Sequence, residues 1–184
     1  MISIKEPADS AQEICVLYQE HSEIEAFFIK KKEISHLNSY TSEAKKSFLL
    51  ACASYLESKL LDSIRKNLNP SNCPLTKNFL EAQLNRRFHT LFDWSAKNNV
   101  NGFLSKFGND FKKFYSDKEE TEYEKAFISI ISDRNTLIHN NYVLQAYNKT
   151  VHEIHVIFTD ALKFIEKFSS AITEFQMTKA SEEA

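Results

Sequence analysis

The chain has 184 residues, of which 42% are hydrophobic and 26% charged, and its formal net charge is -2. A chain of this length can bury the core of one domain without disulfides or metals, and its charge excludes a protein that coats nucleic acid through a global basic field. Only two glycines and three prolines occur, too few for the turns of a sheet protein with many hairpins. We therefore expect an all-α fold.

Apolar residues at helical spacing predict three long helices in the first half of the chain. The first is expected over residues 10–32, and a polar connection over residues 35–41 follows it. A second helix is predicted over residues 42–68, where Asn69-Pro70 ends it, and a third from residue 76 to about residue 98.

The second half of the chain contains both glycines, and they punctuate residues 98–108, which indicates a short helix or a broken pair of helices. A motif helix is expected to begin at Asp117 or Thr121 and to be interrupted at Asn140-Asn141. A final helix from about residue 148 to residue 175 precedes a flexible tail at residues 177–184. The prediction is an antiparallel helical bundle of five to six helices, with an N-terminal helix in residues 1–40 packed on a bundle formed by residues 41–176.

Cysteine usage and the first residues of the chain favour a reducing compartment. The three cysteines have no paired or metal-ligand spacing, and the N-terminus lacks the apolar run of a signal peptide. No stretch approaches the ~20 apolar residues of a membrane span. We therefore expect a cytoplasmic protein that makes no contact with a membrane.

Arg134 stands where the motif helix should bury an aliphatic residue. It falls on the stripe defined by Tyr123, Phe127, Ile130, Ile131, Leu137 and Ile138. A guanidinium cannot be neutralised and is costly to bury without a partner. Either a carboxylate awaits it inside the fold, or it faces a cleft or a subunit seam that a charged ligand enters. His139 favours chemistry, because imidazole is the side chain best suited to proton transfer near neutral pH.

The helical positions of these residues limit how they can act together. His139 lies ~40° around the helix from Asn135 but ~140° from Arg134. One ideal helix cannot aim Arg134 and His139 at the same point on a flat surface. They could converge in a groove, at a helix end loosened by Asn140-Asn141, or across a symmetric dimer.

The pattern Arg134-Asn135-x-x-x-His139, in the penultimate long helix of an all-helical domain, resembles the Arg-polar-x-x-x-His signature of HEPN domains. The stretch Ser47–Ser58 is similar to the leading core helix of RiboL-PSP-like members, which tend to carry an acidic residue there. The likeness covers about residues 42–172. It implies an HEPN-like fold and a metal-independent endoribonuclease, usually dimeric, with the two motifs meeting at the seam.

The chemistry of the motif residues agrees with that implication. RNA cleavage without a metal needs a base for the 2′-hydroxyl proton and a cation for the charge that builds on the phosphorane. His139 can be the base, or the acid for the leaving 5′-oxygen, and Arg134 offers a forked donor to phosphate oxygens. Asn135 would orient the imidazole or the phosphate. We expect ends with a 2′,3′-cyclic phosphate and a 5′-hydroxyl, and no metal or cofactor.

Two further residues are candidates for a supporting role. Glu57 lies on an apolar face of the second helix, where it could hold Arg134 in position, form a purely structural ion pair with it, or sit at the margin of the core. Tyr142 follows His139 by three residues, whereas some HEPN toxins have a tyrosine two residues after the histidine that is modified by AMP. We therefore expect Tyr142 to be a packing or RNA-stacking residue.

Other polar clusters give weaker signals. Arg86, Arg87 and His89 lie near aromatic residues and could cradle a single-stranded backbone, although a solvated helix face explains them as well. His152 and His155 lack a third ligand at suggestive spacing, so we expect surface histidines rather than a metal site. Lys45-Lys46 is expected to be a solvated face.

The resemblance also implies partners. It predicts an RNA substrate, a homodimer, and an antitoxin or another defence-system subunit, for a toxin or abortive-infection effector of bacterial defence. The alternatives are a non-catalytic helical module that binds RNA, nucleotide or protein, and an inactive subunit of a larger complex. A requirement for His139 at unchanged fold and dimer state distinguishes the enzyme from both alternatives.

Overall fold

The part of the chain that the computed structural model describes is helical and contains no strand. It comprises residues 10–68, 81, 84, 91–92, 99–116, 121–140, 142 and 145–182. Six α-helices lie within these ranges: α1 (Ser10–Lys31), α2 (Ile34–Asn67), α3 (Asn99–Leu104), α4 (Asn109–Ser116), α5 (Thr121–His139) and α6 (Val151–Glu182).

The all-α prediction is confirmed. The helix predicted over residues 76–98 lies outside the described residues except for four positions. None of the six helices is both long enough and apolar enough to cross a membrane.

The break between α1 and α2 is shorter than the sequence predicted. Lys32 adopts a φ of 59°, its amide donates to the Ile29 carbonyl, and the Glu33 amide donates to the Phe28 carbonyl. This is the Schellman pattern that ends a helix, here with lysine in the left-handed position. The polar connection predicted at residues 35–41 is therefore wrong, since α2 already begins at Ile34.

The helical start of α2 is explained by contacts that its polar composition hides. The ring of Tyr40 lies 5.9 Å from that of Phe28 on α1, and its hydroxyl bonds to His21 Nδ1. The Thr41 hydroxyl donates to the Leu37 carbonyl at 2.8 Å. The helix start predicted near residue 42 consequently falls inside a continuous helix. The division of the chain into an N-terminal part, residues 1–40, and a bundle, residues 41–176, stays a prediction.

The described residues fall into two units. The motif unit comprises those within Met1–Tyr55 and Ser129–Thr159, and the phenylalanine unit comprises those within Leu56–Ile128 and Asp160–Ala184. In the motif unit, Tyr18 of α1 stacks on His155 of α6 with ring centroids 4.1 Å apart, and its hydroxyl bonds to His152 Nδ1 at 2.7 Å. The buried hydrophobic side chains of this unit include Ile14, Phe48, Leu49, Cys52, Ile130, Ile131, Leu137, Ile154 and Phe158.

The core of the phenylalanine unit is a cluster of aromatic rings. The Phe168 side chain is fully buried, with its ring centroid 5.1 Å from that of Phe103 and 5.3 Å from that of Phe107. Phe92 stacks on Phe103 at 4.5 Å. Ring pairs at such distances add ~0.5–1.5 kcal/mol to the stabilisation from buried area. The buried aliphatic side chains of the same unit include Leu56, Leu60, Ile64, Val100, Leu104, Ile165 and Ile172.

Residues 99–116 form the broken pair of helices that the sequence indicated. A 3-10 turn at Ser105–Phe107 follows α3, and Gly108 separates it from α4 with a φ of +102°. This conformation is one that L side chains rarely adopt, whereas glycine adopts it readily. A Cβ added to Gly108 would meet nothing within 4 Å, so the backbone conformation and not the available space favours glycine there.

The last helix, α6, begins and ends later than predicted. Thr150 and Glu153 form a capping box, in which the Thr150 amide donates to Glu153 Oε2 and the Glu153 amide to Thr150 Oγ1. At the other end the helix continues to Glu182, so the end predicted near residue 175 is wrong and the first six residues of the predicted flexible tail are helical. No glycine or proline follows Phe175, and an ion pair between Lys179 and Glu182 stabilises the last turn.

Candidate active site

Arg134 lies at the margin of the buried face of α5. Ile130, Ile131 and Leu137 are buried there, whereas Arg134 is half-buried and Ile138 is 45% exposed. The apolar stripe therefore opens toward solvent near the end of the helix, where the sequence predicted that it would continue through Ile138. Arg134 Nη1 donates to Asn135 Oδ1 at 3.0 Å. The structure thus joins two of the three predicted motif residues by a hydrogen bond between their side chains.

His139 is the last residue of α5 and is exposed. The helix ends at His139, and the Asn140 amide closes its final turn by donating to the Thr136 carbonyl at 3.0 Å. The end of the helix agrees with the interruption predicted at Asn140-Asn141, of which Asn141 lies outside the described residues. On this regular helix His139 lies ~40° from Asn135 and ~140° from Arg134. One chain therefore presents a solvent-accessible imidazole beside an amide that is already bonded to the guanidinium.

Tyr142 is half-buried and is contacted by α2. Lys46 Nζ donates to the Tyr142 carbonyl at 3.1 Å and lies 5.2 Å from the centroid of the phenol ring. Burial raises the pKa of Tyr142, and the charge of Glu43 and its hydrogen bond to the phenol raise it further. These contacts favour the packing role predicted for Tyr142, while a role in binding substrate stays a prediction.

The predicted solvated face at Lys45-Lys46 is wrong for Lys46, whose relative exposure is 3%. The sequence hides this burial because the carbonyl that receives the Lys46 hydrogen bond lies 96 residues further along the chain. A helical wheel of α2 alone gives only a weak signal, namely that Lys46 shares a face with the buried Leu49 and Ala53.

A second polar cluster, which sequence reasoning missed, surrounds Asp133. Its carboxylate accepts a hydrogen bond from the Tyr147 hydroxyl at 2.9 Å and pairs with the Lys149 ammonium at 2.5 Å. Burial raises the pKa of Tyr147 far above its ordinary value, and the charge and hydrogen bond of Asp133 add to that rise. The cluster attaches the segment before α6 to α5, one residue before Arg134. The only signal in the sequence was an acidic residue next to the motif arginine.

The remaining predicted residues have different outcomes. Glu57 is half-buried on α2 in the phenylalanine unit, and its support of Arg134 stays a prediction. Arg86, Arg87 and His89 lie outside the described residues. His152 is exposed as expected, but His155 is half-buried beneath Tyr18, because the stacked ring covers it. Within the described ranges no group of three histidine, cysteine or acidic side chains could hold a metal ion.

Comparison with known proteins gives one match. The model of the RiboL-PSP-HEPN family matches residues 16–174, which is most of the chain. The search of curated proteins and the search of solved structures each found no match. The matched range includes α2, which carries the core-helix stretch, and all of α5 with Arg134, Asn135 and His139. The match agrees with the family that these residues indicated and points, in outline, to a ribonuclease or another nucleotide-related function.

Proposed function

The chain belongs to the RiboL-PSP-like HEPN family, and from that premise we propose that it is a metal-independent endoribonuclease. One observation supports this proposal above all others. At the end of α5, the Arg134 guanidinium is bonded to the Asn135 amide while the His139 imidazole is exposed to solvent. A cation for phosphate and a group for proton transfer are thus offered within six residues of one helix.

Each motif residue has a chemical role in the proposed reaction. His139 removes the proton from the 2′-hydroxyl, or protonates the departing 5′-oxygen, and its exposure gives RNA access to the ring. Arg134 donates to the phosphate oxygens as negative charge builds on the phosphorane. Asn135 holds the guanidinium through Oδ1 and leaves its amide hydrogens for the phosphate or the imidazole. Cleavage leaves a 2′,3′-cyclic phosphate and a 5′-hydroxyl.

The site is proposed to be completed by a second copy of the chain. On one helix the directions of Arg134 and His139 differ by ~140°, so a phosphate contacted by both residues is easier to place between two helices than on one. Ile138 is 45% exposed beside His139, and a second α5 packed there would cover it. In such a dimer Arg134 of one chain and His139 of the other could face the same phosphate.

The biological role proposed is that of a toxin or abortive-infection effector in bacterial defence, restrained by an antitoxin or another subunit. This role follows from the family likeness. An exposed catalytic histidine agrees with it, because a partner that covers the end of α5 would block access of RNA to His139.

The proposed activity is tested by RNA cleavage in the presence of EDTA. Wild type is compared with His139→Ala, and with His36→Ala as a control in which another exposed histidine is removed. We expect wild type and His36→Ala to cut a labelled oligonucleotide and leave cyclic-phosphate ends, and His139→Ala to leave it intact at unchanged fold and dimer state. Equal cleavage by His139→Ala would contradict the mechanism. Intact RNA that folded wild type binds through His139 would favour a non-catalytic binding module.

A further inference from the structure

Tyr142 is held at two points by one turn of α2. Lys46 Nζ donates to its backbone carbonyl at 3.1 Å and lies 5.2 Å from the centroid of its phenol ring. Glu43, three residues earlier on α2, pairs with Lys46, with 3.5 Å between Oε1 and Nζ, and its charge adds to burial in raising the pKa of the phenol. The carbonyl and the ring of Tyr142 are therefore both contacted by one ammonium, which Glu43 pairs.

The burial of Lys46 indicates that this contact has a specific purpose. Lysine is almost never fully buried without a partner, because removing an ammonium from water costs several kcal/mol. Lys46 is nevertheless buried on the face of α2 that also holds the buried Leu49 and Ala53, and its ammonium is directed at the Tyr142 carbonyl. An apolar side chain at this position could fill the space but could not donate to that carbonyl.

Tyr142 lies only three residues after His139. The hydrogen-bond ladder of α5 ends where the Asn140 amide donates to the Thr136 carbonyl. Three residues span at most ~11 Å, so fixing Tyr142 limits the movement of the helix end that carries His139. Further along, Tyr147 and Lys149 attach the same connection to Asp133. Among the described residues after His139, Tyr142 is therefore attached to α2, and Tyr147 and Lys149 are attached to α5.

We propose that Lys46 and Glu43 are positioning residues that hold His139, through Tyr142, in the orientation in which it acts on RNA. This inference rests on the proposed function for its catalytic consequence. Neither residue is assigned a contact with the substrate in the proposed mechanism. Their effect is to narrow the range of directions available to an exposed imidazole at a helix end, where a displacement of ~1 Å can lower a rate ~100-fold.

The first arm of the test needs no RNA. Lys46→Met keeps the length of the side chain and removes its charge, Lys46→Arg keeps a donor, and Lys45→Met changes the neighbouring lysine as a control. Solution NMR follows amide exchange at Asn140 and the ring signals of His139. We expect Lys46→Met to speed exchange at Asn140 at least about tenfold and to broaden or shift the His139 ring signals. Lys45→Met should change neither the exchange at Asn140 nor the His139 signals. Lys46→Arg, which keeps a donor, should leave both closer to wild type than Lys46→Met does.

The second arm measures RNA cleavage by the same proteins. Lys46→Met should lower kcat by roughly 10–100-fold with KM within about twofold of wild type, because the residue orients the histidine without binding substrate. Lys46→Arg should recover most of kcat. Combined with His139→Ala, Lys46→Met should cause no further loss, since it acts through that histidine.

The two arms separate failure of this inference from failure of the proposed function. Unchanged Asn140 exchange and His139 ring signals in folded Lys46→Met would overturn the positioning role, whatever the cleavage result. Altered signals with unaltered kcat in an active enzyme would also overturn it. Altered signals in a protein whose wild type cuts no RNA would uphold the attachment of His139 and refute only the nuclease. If Lys46→Met fails to fold, Glu43→Gln, on a largely exposed side chain, must alter the same signals for the inference to stand.

Discussion

The two units of the molecule differ in the contacts that stabilise each of them internally. The phenylalanine unit relies on packed rings such as Phe168, Phe103 and Phe107, whose attraction depends on buried area and hardly on direction. The motif unit adds buried and half-buried polar contacts, among them Lys46 to Tyr142 and Asp133 to Tyr147, which fix the direction of individual groups. The phenylalanine unit also has part-buried hydrogen bonds, such as Asn67 to Ser169, but only those of the motif unit lie next to the residues proposed to act on RNA. Substitution of the exposed His139 should consequently affect RNA cleavage, and substitution in the ring cluster should affect the free energy of unfolding.

The largest effect is expected for His139→Ala, which should lower RNA cleavage by about 10²–10⁴-fold. Its free energy of unfolding should stay within about 0.5 kcal/mol of wild type, because the side chain is exposed at a helix end. Cleavage kinetics and urea unfolding on the same preparation check both halves of the prediction. A large loss of stability would show that His139 supports the fold, which would contradict the expectation that its substitution affects cleavage alone.

Phe168→Ala should have the opposite effect. It removes a fully buried ring that contacts at least two others, so the free energy of unfolding should fall by about 3–5 kcal/mol. Phe168→Leu serves as the control and should lose clearly less, because it leaves a smaller cavity. Thermal unfolding measures both variants. If Phe168→Ala is as stable as Phe168→Leu, the ring cluster is not the main source of stability in its unit.

Asp133→Ala tests the polar cluster next to the motif. The substitution leaves the Tyr147 hydroxyl and the Lys149 ammonium without this acceptor, which should cost about 1–3 kcal/mol. It should also lower the pKa of Tyr147 toward its ordinary value, since the carboxylate contributes to the present rise. A double-mutant cycle with Tyr147→Phe, measured by urea unfolding, isolates the contact. Strict additivity in that cycle would mean that the hydrogen bond contributes nothing to stability.

The smallest effect concerns the histidines that pack against α1. Burial lowers the pKa of His155, and the charge of His152 lowers it further. Burial also lowers the pKa of His21, although Glu25 and Glu20 oppose that change. The unfolded chain therefore binds more protons than the folded chain between the folded pKa and the unfolded value of ~6.5. The contribution of these histidines to stability is therefore complete above pH ~6.5, and it is lost as the pH falls from there through the pKa of the folded state.

Unfolding by urea at about pH 7.5 and at about pH 5.5 measures this dependence. Stability should be lower at the more acidic pH, and His155→Phe, which keeps a ring against Tyr18, should lose less of it than wild type. Carboxylates contribute equally to both proteins, so the difference between the two pH profiles reports on His155. Identical profiles would show that protonation of His155 does not affect the docking of α1.

The sequence predicted the helices well because their apolar periodicity is long and regular. Where a prediction was wrong, the cause was a contact between residues distant in the chain or a local signal outside the periodicity. Residues 35–41 look like a connection because they are polar, yet Tyr40 packs on Phe28 and α2 already begins at Ile34. Lys32 ends α1 in a conformation more usual for glycine, so no glycine marked the true break.

The candidate site was predictable only in part, for the same reason. Arg134, Asn135 and His139 form a pattern within one helix, so the sequence alone can single them out as candidates, and their role as site residues stays a prediction. The residues around them come from elsewhere in the chain. Lys46 is 96 residues from the carbonyl that it contacts, and Asp133 is 14 residues from Tyr147. Spacing along one chain cannot reveal contacts of this kind, and the burial of Lys46 becomes visible only in the folded protein.

Gly108 has a backbone conformation that is rare for an L residue. Its φ of +102° mirrors to −102°, an ordinary φ for an L residue, so a D-amino acid suits this site better than an L-amino acid. A D-alanine introduced by chemical synthesis should therefore be less strained there than the L-alanine of a mutant. By restricting the unfolded chain, the mirror-image residue should raise the free energy of unfolding by about 0.4–1 kcal/mol.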